Sequence, residues 1–282
     1  ASLAAFYNKI PVGHIEAGLR TFDTFNPYPE EMNRQLISLV SDIHFAPTRA
    51  ARDNLRAVGI PQKWIFLTGN TAIDALLYST RKVGSAREKR ARSSSRKMVL
   101  VTAHRRESFG APIKNICAAI RRLVALRDDI DVVYPVHLNP NIHQPVFEIL
   151  KGIKRVHLVP TQPYPDFVRL MKNASVILTD SGGVQEEAPS LGKPVLVLRE
   201  KSERMEAVTA GTATIVGTRP DDIVRGSIRA LDGLRTRKRR APVKNPFGDG
   251  KASVRIVRAI EHYFGLGARP KDFNPLRREK LF

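Results

Sequence analysis

Residues 175–187 read "SVILTDSGGVQEE", and this stretch determines the class of fold. The short apolar run at 175–179 has the composition of a buried strand. It ends in the turn residues Ser181, Gly182 and Gly183, and a helix with two adjacent glutamates is expected to follow. A strand that passes through a glycine turn directly into a helix is typical of a parallel α/β sheet.

The chain from residue 98 onward repeats this alternation. Stretches with helical periodicity, such as 114–127 and 166–174, separate further apolar β-branched runs. Near-continuous apolar strands with intervening helices predict a parallel sheet that is covered on both faces. With the run at 175–179 there are six strands, enough for a complete doubly wound domain. The five further predicted strands are 98–102, 131–136, 155–159, 194–198 and 213–217.

The first 80 residues predict a smaller version of the same architecture. Three strand candidates, 11–17, 43–47 and 64–70, alternate with helical stretches at 29–42 and 48–59. Three strands are too few for a complete Rossmann-type half, so we interpret this part as a domain that is incomplete at its N-terminus.

These patterns predict two Rossmann-type domains joined by a basic segment. The predicted organisation is a first domain at 1–80, a linker at 81–97, a second domain at 98–250, a helix at 251–265 that returns to the first domain, and a basic tail at 266–282.

The net charge of +20 raises the question of nucleic-acid binding. Most of this charge lies in three segments, 81–97, 235–244 and 269–280, which fall between predicted elements or at the end of the chain. No aromatic residues alternate with the basic ones, as a stacking platform for single strands requires. We therefore interpret the segments as solvated linkers and a tail, and expect no nucleic-acid partner.

Composition also limits the location of the protein. No apolar run approaches the roughly 18 residues of a membrane span. Cys117 is the single cysteine, which excludes a disulfide framework and a cysteine zinc site. The start of the chain has no basic segment typical of a signal peptide. We expect a cytoplasmic protein with neither a metal nor a membrane partner.

The turn at Ser181, Gly182 and Gly183 is a candidate anion site. The first turn of a helix presents backbone N–H groups and a positive dipole end to an anion. Glu187, one helical turn further on, is suitably spaced to accept hydrogen bonds from a ribose diol. The nicotinamide fingerprint G-x-G-x-x-G is absent, which argues against a dehydrogenase. The alternative is a plain tight turn before a helix.

His104, Arg105 and Arg106 directly follow the predicted strand 98–102. In an open α/β sheet the ligand lies outside the carboxyl ends of the strands. Guanidinium and imidazole groups at that edge are suited to a phosphate. The alternative is a solvated basic loop.

Two further cationic side chains follow neighbouring strands. Arg204 lies near a predicted helix start, where it either binds the same phosphate or pairs on the surface with Glu203 or Glu206. His137 follows the strand at 131–136, and a histidine that stabilises a turn is as good an interpretation there as a ligand contact.

Two pairs of residues complete the candidate set. Gln162 and Phe167 provide an amide and an apolar wall for a base, although Phe167 is equally suited to a helix core. Glu16 and Glu30 place carboxylates in loops of the first domain. Two carboxylates are what acid–base chemistry on a sugar requires.

Taken together, these residues resemble the non-hydrolysing UDP-N-acetylglucosamine 2-epimerases, from Ala1 to about Gly265. Glycosyltransferases of the GT-B class share the architecture but not this series of motifs. The motifs that carry the resemblance are "PVGHIEAGLRT" (11–21), "PYPEEMNRQL" (27–36), "TGNTAIDALL" (68–77), "TAHRRESFG" (102–110), "LTDSGGVQEEAPSLGKPVLVLRE" (178–200), "ERMEAVTAGT" (203–212) and "NPFGDGKAS" (245–253).

The resemblance implies a GT-B-like α/β fold in which two Rossmann-type domains face each other across a cleft. It also implies a cytoplasmic homodimer that interconverts UDP-GlcNAc and UDP-ManNAc without a cofactor, supplying ManNAc for bacterial surface polysaccharides. In this family UDP leaves from C1 while C2 loses its proton, and UDP then adds back to a 2-acetamidoglucal.

The resemblance also implies roles for individual residues. Glu16 and Glu30 match the acid–base carboxylates, and His137 matches a position associated with a regulatory UDP-GlcNAc in some bacterial members. His104, the third catalytic residue, and Arg204 match groups that stabilise the diphosphate, which Ser181, Gly182 and Gly183 hold. Glu187 matches the ribose contact, Gln162 and Phe167 match the uracil pocket, and Arg105 is assigned to substrate binding.

The chain departs from the family pattern in several places. Met205 replaces a proline beside Arg204, and neither the "GTRPE" loop nor the "HGD" motif with a third carboxylate occurs. By that comparison, on the order of a hundred residues of one Rossmann half are missing. Two hypotheses follow: an active epimerase, or a catalytically inactive UDP-sugar-binding remnant.

Overall fold

The computed structural model describes residues 1–25, 27–83, 96–200, 202, 204–236 and 245–275. Most of the predicted linker, the basic residues 237–244 and the last part of the predicted tail, 276–282, lie outside these ranges. The chain divides into two compact units, each described here by itself: unit 1 is Ala1–Ala75 with Pro246–Phe282, and unit 2 is Leu76–Asn245.

Unit 1 contains a parallel sheet in the order β1-β2-β3. Its strands are β1 (Gly13–Ile15), β2 (Ile43–Ala46) and β3 (Ile65–Leu67). Each strand is shorter than its predicted run. The first ends where Glu16 adopts a positive φ of 63°, and the second ends before Pro47, which has no N–H to donate to a ladder.

The helices of unit 1 begin at sequence signals that are visible in the chain. The helix at residues 30–40 starts after Pro29 with two acidic residues in its first turn, which suits the helix dipole. Thr48 accepts a hydrogen bond from the backbone N–H of Ala51 (3.2 Å) and caps the next helix. The helices are α1 (Ser2–Tyr7), α2 (Glu30–Val40), α3 (Arg49–Ala57) and α4 (Thr71–Val83), and the boundary between the units falls within α4.

Unit 2 contains a six-stranded parallel sheet in the order β6-β5-β4-β7-β8-β9. The strands are β4 (Lys97–Thr102), β5 (Ile130–Val136), β6 (Val156–Pro160), β7 (Val176–Thr179), β8 (Val195–Val197) and β9 (Ala213–Ile215). Each observed strand overlaps one predicted run. Counted within the unit, this is the 3-2-1-4-5-6 order of a Rossmann fold, with the reversal between β4 and β7. The predicted α/β class is confirmed.

The core of unit 2 follows from the alternation of strand and helix. Every second side chain of β5 is fully buried, and the helix that precedes it buries residues spaced three and four apart, including Ile113, Ile116 and Ile120. That helix begins at Ala111, three residues before the predicted run, because Gly110 and Pro112 form its start. The helices are α5 (Ala111–Leu126), α6 (Pro140–Leu150), α7 (Tyr164–Asn173), α8 (Gly182–Glu187), α9 (Met205–Thr209) and α10 (Pro220–Thr236). Among the described residues, no helix combines the length and apolar character that crossing a membrane requires.

The end of the chain returns to unit 1. The helix α11 (Ala252–Tyr263) buries Ile256 and Ala259 against Phe45 and Phe66. Asp74 accepts hydrogen bonds from the first backbone N–H groups of α11, at 3.0 and 2.8 Å.

The predicted basic tail is wrong for its first part. Phe273 is 3% exposed in the core of unit 1, and its N–H donates to the carbonyl of Leu67 (2.7 Å). Arg269 donates to the carbonyls of Lys63 and Ile65, each at 2.6 Å. Residues 269–273 therefore cover the outer edge of β3, because that edge has unpaired backbone groups that need partners.

Candidate active site

The reversal of strand order in unit 2 brings two loops together. Strands β4 and β7 are hydrogen-bonded neighbours whose last residues, Thr102 and Thr179, lie opposite each other. The loops that leave their carboxyl ends therefore begin side by side. These loops carry the predicted residues His104, Arg105 and Ser181, so the structure places them at the sheet edge where such folds bind ligands.

Asp180 connects the two loops, and the sequence interpretation did not assign it a role. Its side chain is fully buried, and Oδ2 accepts hydrogen bonds from the backbone N–H groups of His104 and Arg105, each at 2.8 Å. Ser108 donates its hydroxyl to the same oxygen at 2.8 Å. Three donors on one oxygen stabilise a buried carboxylate and fix the loop after β4.

His104 faces the other carboxylate oxygen of Asp180. Its Nδ1 lies 3.7 Å from Oδ1, and its ring stacks on His137 with the centroids 5.6 Å apart. Burial lowers the pKa of His104; Asp180 opposes this shift, while His137 and Arg105 add to it. These surroundings therefore favour the neutral form of the imidazole.

His137 takes part in a turn as well as in this stack. It is exposed, and its Nδ1 accepts the backbone N–H of Asn139 at 3.1 Å. The hydrogen bond from Asn139 is the contact expected of a histidine that stabilises a turn. Its regulatory role stays a prediction.

Two guanidinium groups converge on the first turn of α8. A β-carbon built on Gly182 would lie 3.4 Å from the guanidinium carbon of Arg204 and 3.5 Å from Nη2 of Arg105. Both cations therefore lie within van der Waals contact of the position that a side chain at residue 182 would occupy. The arrangement combines two guanidinium groups with the N-terminus of a helix, and both features attract an anion.

Arg204 is held by a partner that the sequence interpretation missed. Nε of Arg204 donates to Oε1 of the buried Glu186 at 2.6 Å, and Glu203, one of the two predicted partners, lies outside the described residues. Ser202 accepts the backbone N–H of Arg204 and donates to Oε1 of Gln185, at 3.0 and 2.6 Å. Arg204 is therefore positioned by α8, the same helix whose first turn it faces.

Glu187 lies at the end of α8 and is 9% exposed. Oε1 accepts the hydroxyl of Tyr164 at 3.1 Å. Burial raises the pKa of Glu187 to about 7; the bond from Tyr164 lowers it and the nearby Glu186 raises it. Tyr164 was not predicted, although its spacing of three from Phe167 on α7 was a signal in the sequence.

The remaining predicted residues of unit 2 have simpler surroundings. Gln162 donates from Nε2 to the carbonyl of Pro160 at 2.7 Å, and Phe167 is half-buried on α7. Ser181 donates its N–H to Oγ1 of Thr179 at 3.0 Å, and Gly183 is exposed beside it. The proposed uracil contacts of Gln162 and Phe167 stay a prediction.

Glu16 lies in unit 1 directly after β1, in the left-handed region of backbone conformation. Its Oε1 accepts a hydrogen bond from Nδ2 of Asn70 at 3.2 Å. The following turn depends on Gly18, because a β-carbon there would lie 2.1 Å from the carbonyl oxygen of Ala51. Backbone strain at a non-glycine residue is often found at functional positions.

Glu30, the second predicted carboxylate, is exposed at the first position of α2. Its neighbour Glu31 is fully buried and accepts the backbone N–H groups of Thr21 and Phe22, at 3.0 and 3.4 Å. Despite the opposing effect of burial, these bonds hold the pKa of Glu31 below its usual value. Glu31 thus orders the loop before α2, while Glu30 faces solvent.

Two other features of the described residues bear on the site. They contain no group of three His, Cys, Asp or Glu side chains arranged to hold a metal ion. A cavity of about 770 Å³ lies along β8, β9 and α10 in unit 2, but none of the predicted site residues lines it.

The chain is similar to known proteins over most of its length. Residues 1–261 match the family model described as UDP-N-acetylglucosamine 2-epimerase. Proteins with that name from Yersinia pestis and from Escherichia coli (strain K12) are each 49% identical, with alignments that cover 93% of this chain and 72% of the relative.

Solved structures give the same result. The UDP-GlcNAc 2-epimerase of Neisseria meningitidis, bound to UDP-GlcNAc, is 46% identical with a TM-score of 0.87, covering 93% of this chain and 72% of that one. The S. aureus MnaA structure with UDP is 43% identical with a TM-score of 0.90, covering 97% and 75%.

Proposed function

The chain belongs to the UDP-N-acetylglucosamine 2-epimerase family, and we propose that it interconverts UDP-GlcNAc and UDP-ManNAc by elimination and re-addition of UDP. The observation that carries this proposal is the pair of guanidinium groups, Arg105 and Arg204, that converge on Gly182 at the start of α8. Such a site is suited to a diphosphate that gains negative charge as it leaves a sugar.

In the elimination step, the C1–O bond to UDP and the C2–H bond both break. The products are UDP, which carries the electron pair of the C1–O bond, and a 2-acetamidoglucal with a C1–C2 double bond. The proton passes to a carboxylate. In the return step a proton is added to the opposite face of C2 and UDP bonds again to C1. The reaction is a net isomerisation and needs no redox cofactor.

Arg204 and Arg105 stabilise the leaving diphosphate in this proposal. The contacts of Glu186 and Asp180 support it, because Glu186 holds the guanidinium of Arg204 and Asp180 holds the backbone of Arg105, so little reorganisation is needed during the reaction. The surroundings of His104 favour the neutral imidazole, which donates a hydrogen bond to the phosphate. Negative charge placed beside the ring favours its protonation, so His104 is also suited to donate a proton to departing UDP.

The two carboxylates of unit 1 carry the proton transfer. Glu16 and Glu30 are both exposed, so a substrate can reach their carboxylates. We assign one carboxylate to each face of C2: one accepts the proton that leaves, and the other delivers a proton taken from solvent to the opposite face. Glu187 accepts hydrogen bonds from the ribose hydroxyls.

We further propose that the protein acts in the cytoplasm as a homodimer and that its UDP-ManNAc supplies surface-polysaccharide synthesis. Light scattering coupled to size-exclusion chromatography measures the assembly directly. A mass of one chain at micromolar concentration would contradict the dimer.

The decisive experiment is proton NMR of the protein with UDP-GlcNAc in heavy water. Formation of UDP-ManNAc with deuterium at C2 is the expected result, and loss of this exchange in Glu16→Gln with UDP binding retained would assign the proton transfer. Bound UDP without any exchange in the parent protein would contradict the epimerase and favour a UDP-sugar-binding protein. A glycosylated product formed with an added acceptor would favour a glycosyltransferase.

A further inference from the structure

Asn70 is the residue that contacts the side chain of Glu16. It lies in the turn between β3 and α4, is 7% exposed, and donates from Nδ2 to Oε1 of Glu16 at 3.2 Å. Glu16 itself is exposed and follows a strand of only three residues. A buried amide is thus the fixed partner and the carboxylate is the group that it orients.

The amide of Asn70 has a defined orientation. Its Oδ1 accepts the backbone N–H of Ala72 at 2.9 Å, which caps the start of α4. An amide that accepts through its oxygen on one side presents its NH₂ group on the other. The nitrogen is therefore the atom that faces Glu16.

The backbone of the turn is held by the returning C-terminal segment. The N–H of Asn70 donates to the carbonyl of Phe247 at 2.6 Å, and Arg255 donates to the carbonyl of Thr68 at 3.0 Å. At Gly69, where φ is +81°, an added β-carbon would lie 3.3 Å from the Cα of Gly248. This close packing leaves the turn little freedom to move.

We propose that Asn70 is a positioning residue for Glu16, an inference that rests on the proposed role of Glu16 in proton transfer at C2. A single hydrogen bond to Oε1 fixes the rotamer of an otherwise exposed side chain and leaves Oε2 available for the substrate. Residues 246–255 support this arrangement through the turn.

Asn70→Asp separates this role from the structural one. Aspartate keeps the oxygen that caps α4, and it is as good a helix cap as asparagine. Only the atom that faces Glu16 changes, from a donor nitrogen to a carboxylate oxygen. Two carboxylates at this distance share a proton at pH values where a single one is ionised. We expect kcat at pH 7 to fall about ten- to a hundredfold, and the acid limb of the pH–rate profile to move to higher pH.

Thr48→Ala is the matched control. It removes the cap of α3 in the same unit and does not alter a group that faces Glu16. We expect the pH–rate profile of Thr48→Ala to have the same shape as that of the parent protein. An Asn70→Asp profile that coincides with the parent's would overturn the inference.

A second readout does not require catalysis. Carboxyl-carbon NMR, with the Glu16 signal assigned by its absence in Glu16→Gln, follows the titration of Glu16 in the parent and in Asn70→Asp. A midpoint at higher pH in the variant supports the contact, and an unchanged midpoint overturns it. If the parent fails to exchange deuterium while this midpoint moves, the proposed function fails and the positioning contact stands.

Discussion

The acidic residues of the candidate site have opposite surroundings in the two units. In unit 2, Asp180, Glu186 and Glu187 are at most 9% exposed, and each accepts at least one hydrogen bond or ion pair from a neighbouring loop or helix. In unit 1, Glu16 and Glu30 are exposed, and within the described residues the hydrogen bond from Asn70 to Glu16 is the contact that orients either of them.

This difference separates two chemical tasks. A site that binds a diphosphate gains from cations and N–H groups that are fixed in advance, and buried carboxylates hold them there. A group that exchanges a proton with a sugar carbon needs access to the substrate. The buried acids of unit 2 are therefore suited to positioning, and the exposed Glu16 and Glu30 suit the proton transfer proposed for them.

The largest effect is expected from removing a buried acidic side chain of unit 2. In Asp180→Ala, the N–H groups of His104 and Arg105 and the hydroxyl of Ser108 lose their acceptor in a buried place. We expect the free energy of unfolding of unit 2 to fall by about 3 to 5 kcal/mol. Amide hydrogen exchange in β4 and β7 measures the loss of stability, and calorimetry measures the affinity for UDP. We expect faster exchange and weaker UDP binding in the variant. Asp128→Asn, at an exposed position, is the control.

Lowering the pH tests the buried histidines of unit 1. His14 and His44 lie opposite each other on β1 and β2, and burial lowers the pKa of each imidazole to about 4. Between pH 6.5 and 4 the unfolded chain binds protons that the folded unit does not, so stability that is present above pH 6.5 is lost as the pH falls toward 4. The expected loss is on the order of 3 kcal/mol per imidazole.

Trp64 makes this measurement selective, because it is the single tryptophan and it packs on Tyr263 within unit 1. Denaturation followed by its fluorescence gives the stability at pH 7 and pH 5. His44→Phe reduces the difference between the two pH values, while His157→Gln, an exposed position in unit 2, leaves it unchanged. Equal stabilities of the parent at both pH values would show that the imidazoles are not buried as neutral groups.

The substitution Glu187→Gln tests the same comparison, and we expect it to change the stability by a smaller amount. The pKa of Glu187 is raised to about 7, above its unfolded value of 4.5, so its contribution to stability is full below pH 4.5 and is lost as the pH rises through 7. Glutamine keeps an acceptor for Tyr164 but carries no charge. At pH 8 we expect the variant to be more stable than the parent, by at most about 3 kcal/mol.

The same substitution weakens UDP binding, because a carboxylate accepts stronger hydrogen bonds from a diol than an amide does. We expect the affinity of the parent protein for UDP to rise between pH 6 and pH 8, and the affinity of Glu187→Gln to show no such rise. Calorimetric titrations at both pH values measure this, and an equal pH dependence in the two proteins would contradict the ribose assignment.

The sequence predicted what depends on local pattern. Apolar runs such as 98–102 and 175–179 have the composition of strands, and a strand followed by glycines predicts a turn into a helix. It did not predict contacts between distant segments. Asp180 bonds to residues 75 and 76 positions earlier in the chain, and only the pairing of β4 with β7 brings them together.

A contact of Arg204 was likewise not predicted from the sequence, although its partner lies fewer residues away. The sequence offered Glu203 and Glu206 as nearby partners and did not indicate Glu186, which accepts a hydrogen bond from Arg204 although it is 18 residues away on α8. Phe273 was assigned to a tail because its neighbours are basic. A single aromatic side chain that fills a core is not a periodic pattern, so no local signal identified it.

Unit 1 is assembled from two stretches of chain that are far apart in the order of synthesis. Residues 246–275 supply α11 and the strand-edge cover at 269–273, and they leave the ribosome after all of unit 2. At the 5 to 20 residues per second of translation, the first stretch waits roughly 10 to 30 seconds for its partner. During that interval Phe45 and Phe66 lack the helix that covers them, so the newly made chain is most in need of chaperone protection while unit 2 is already able to fold.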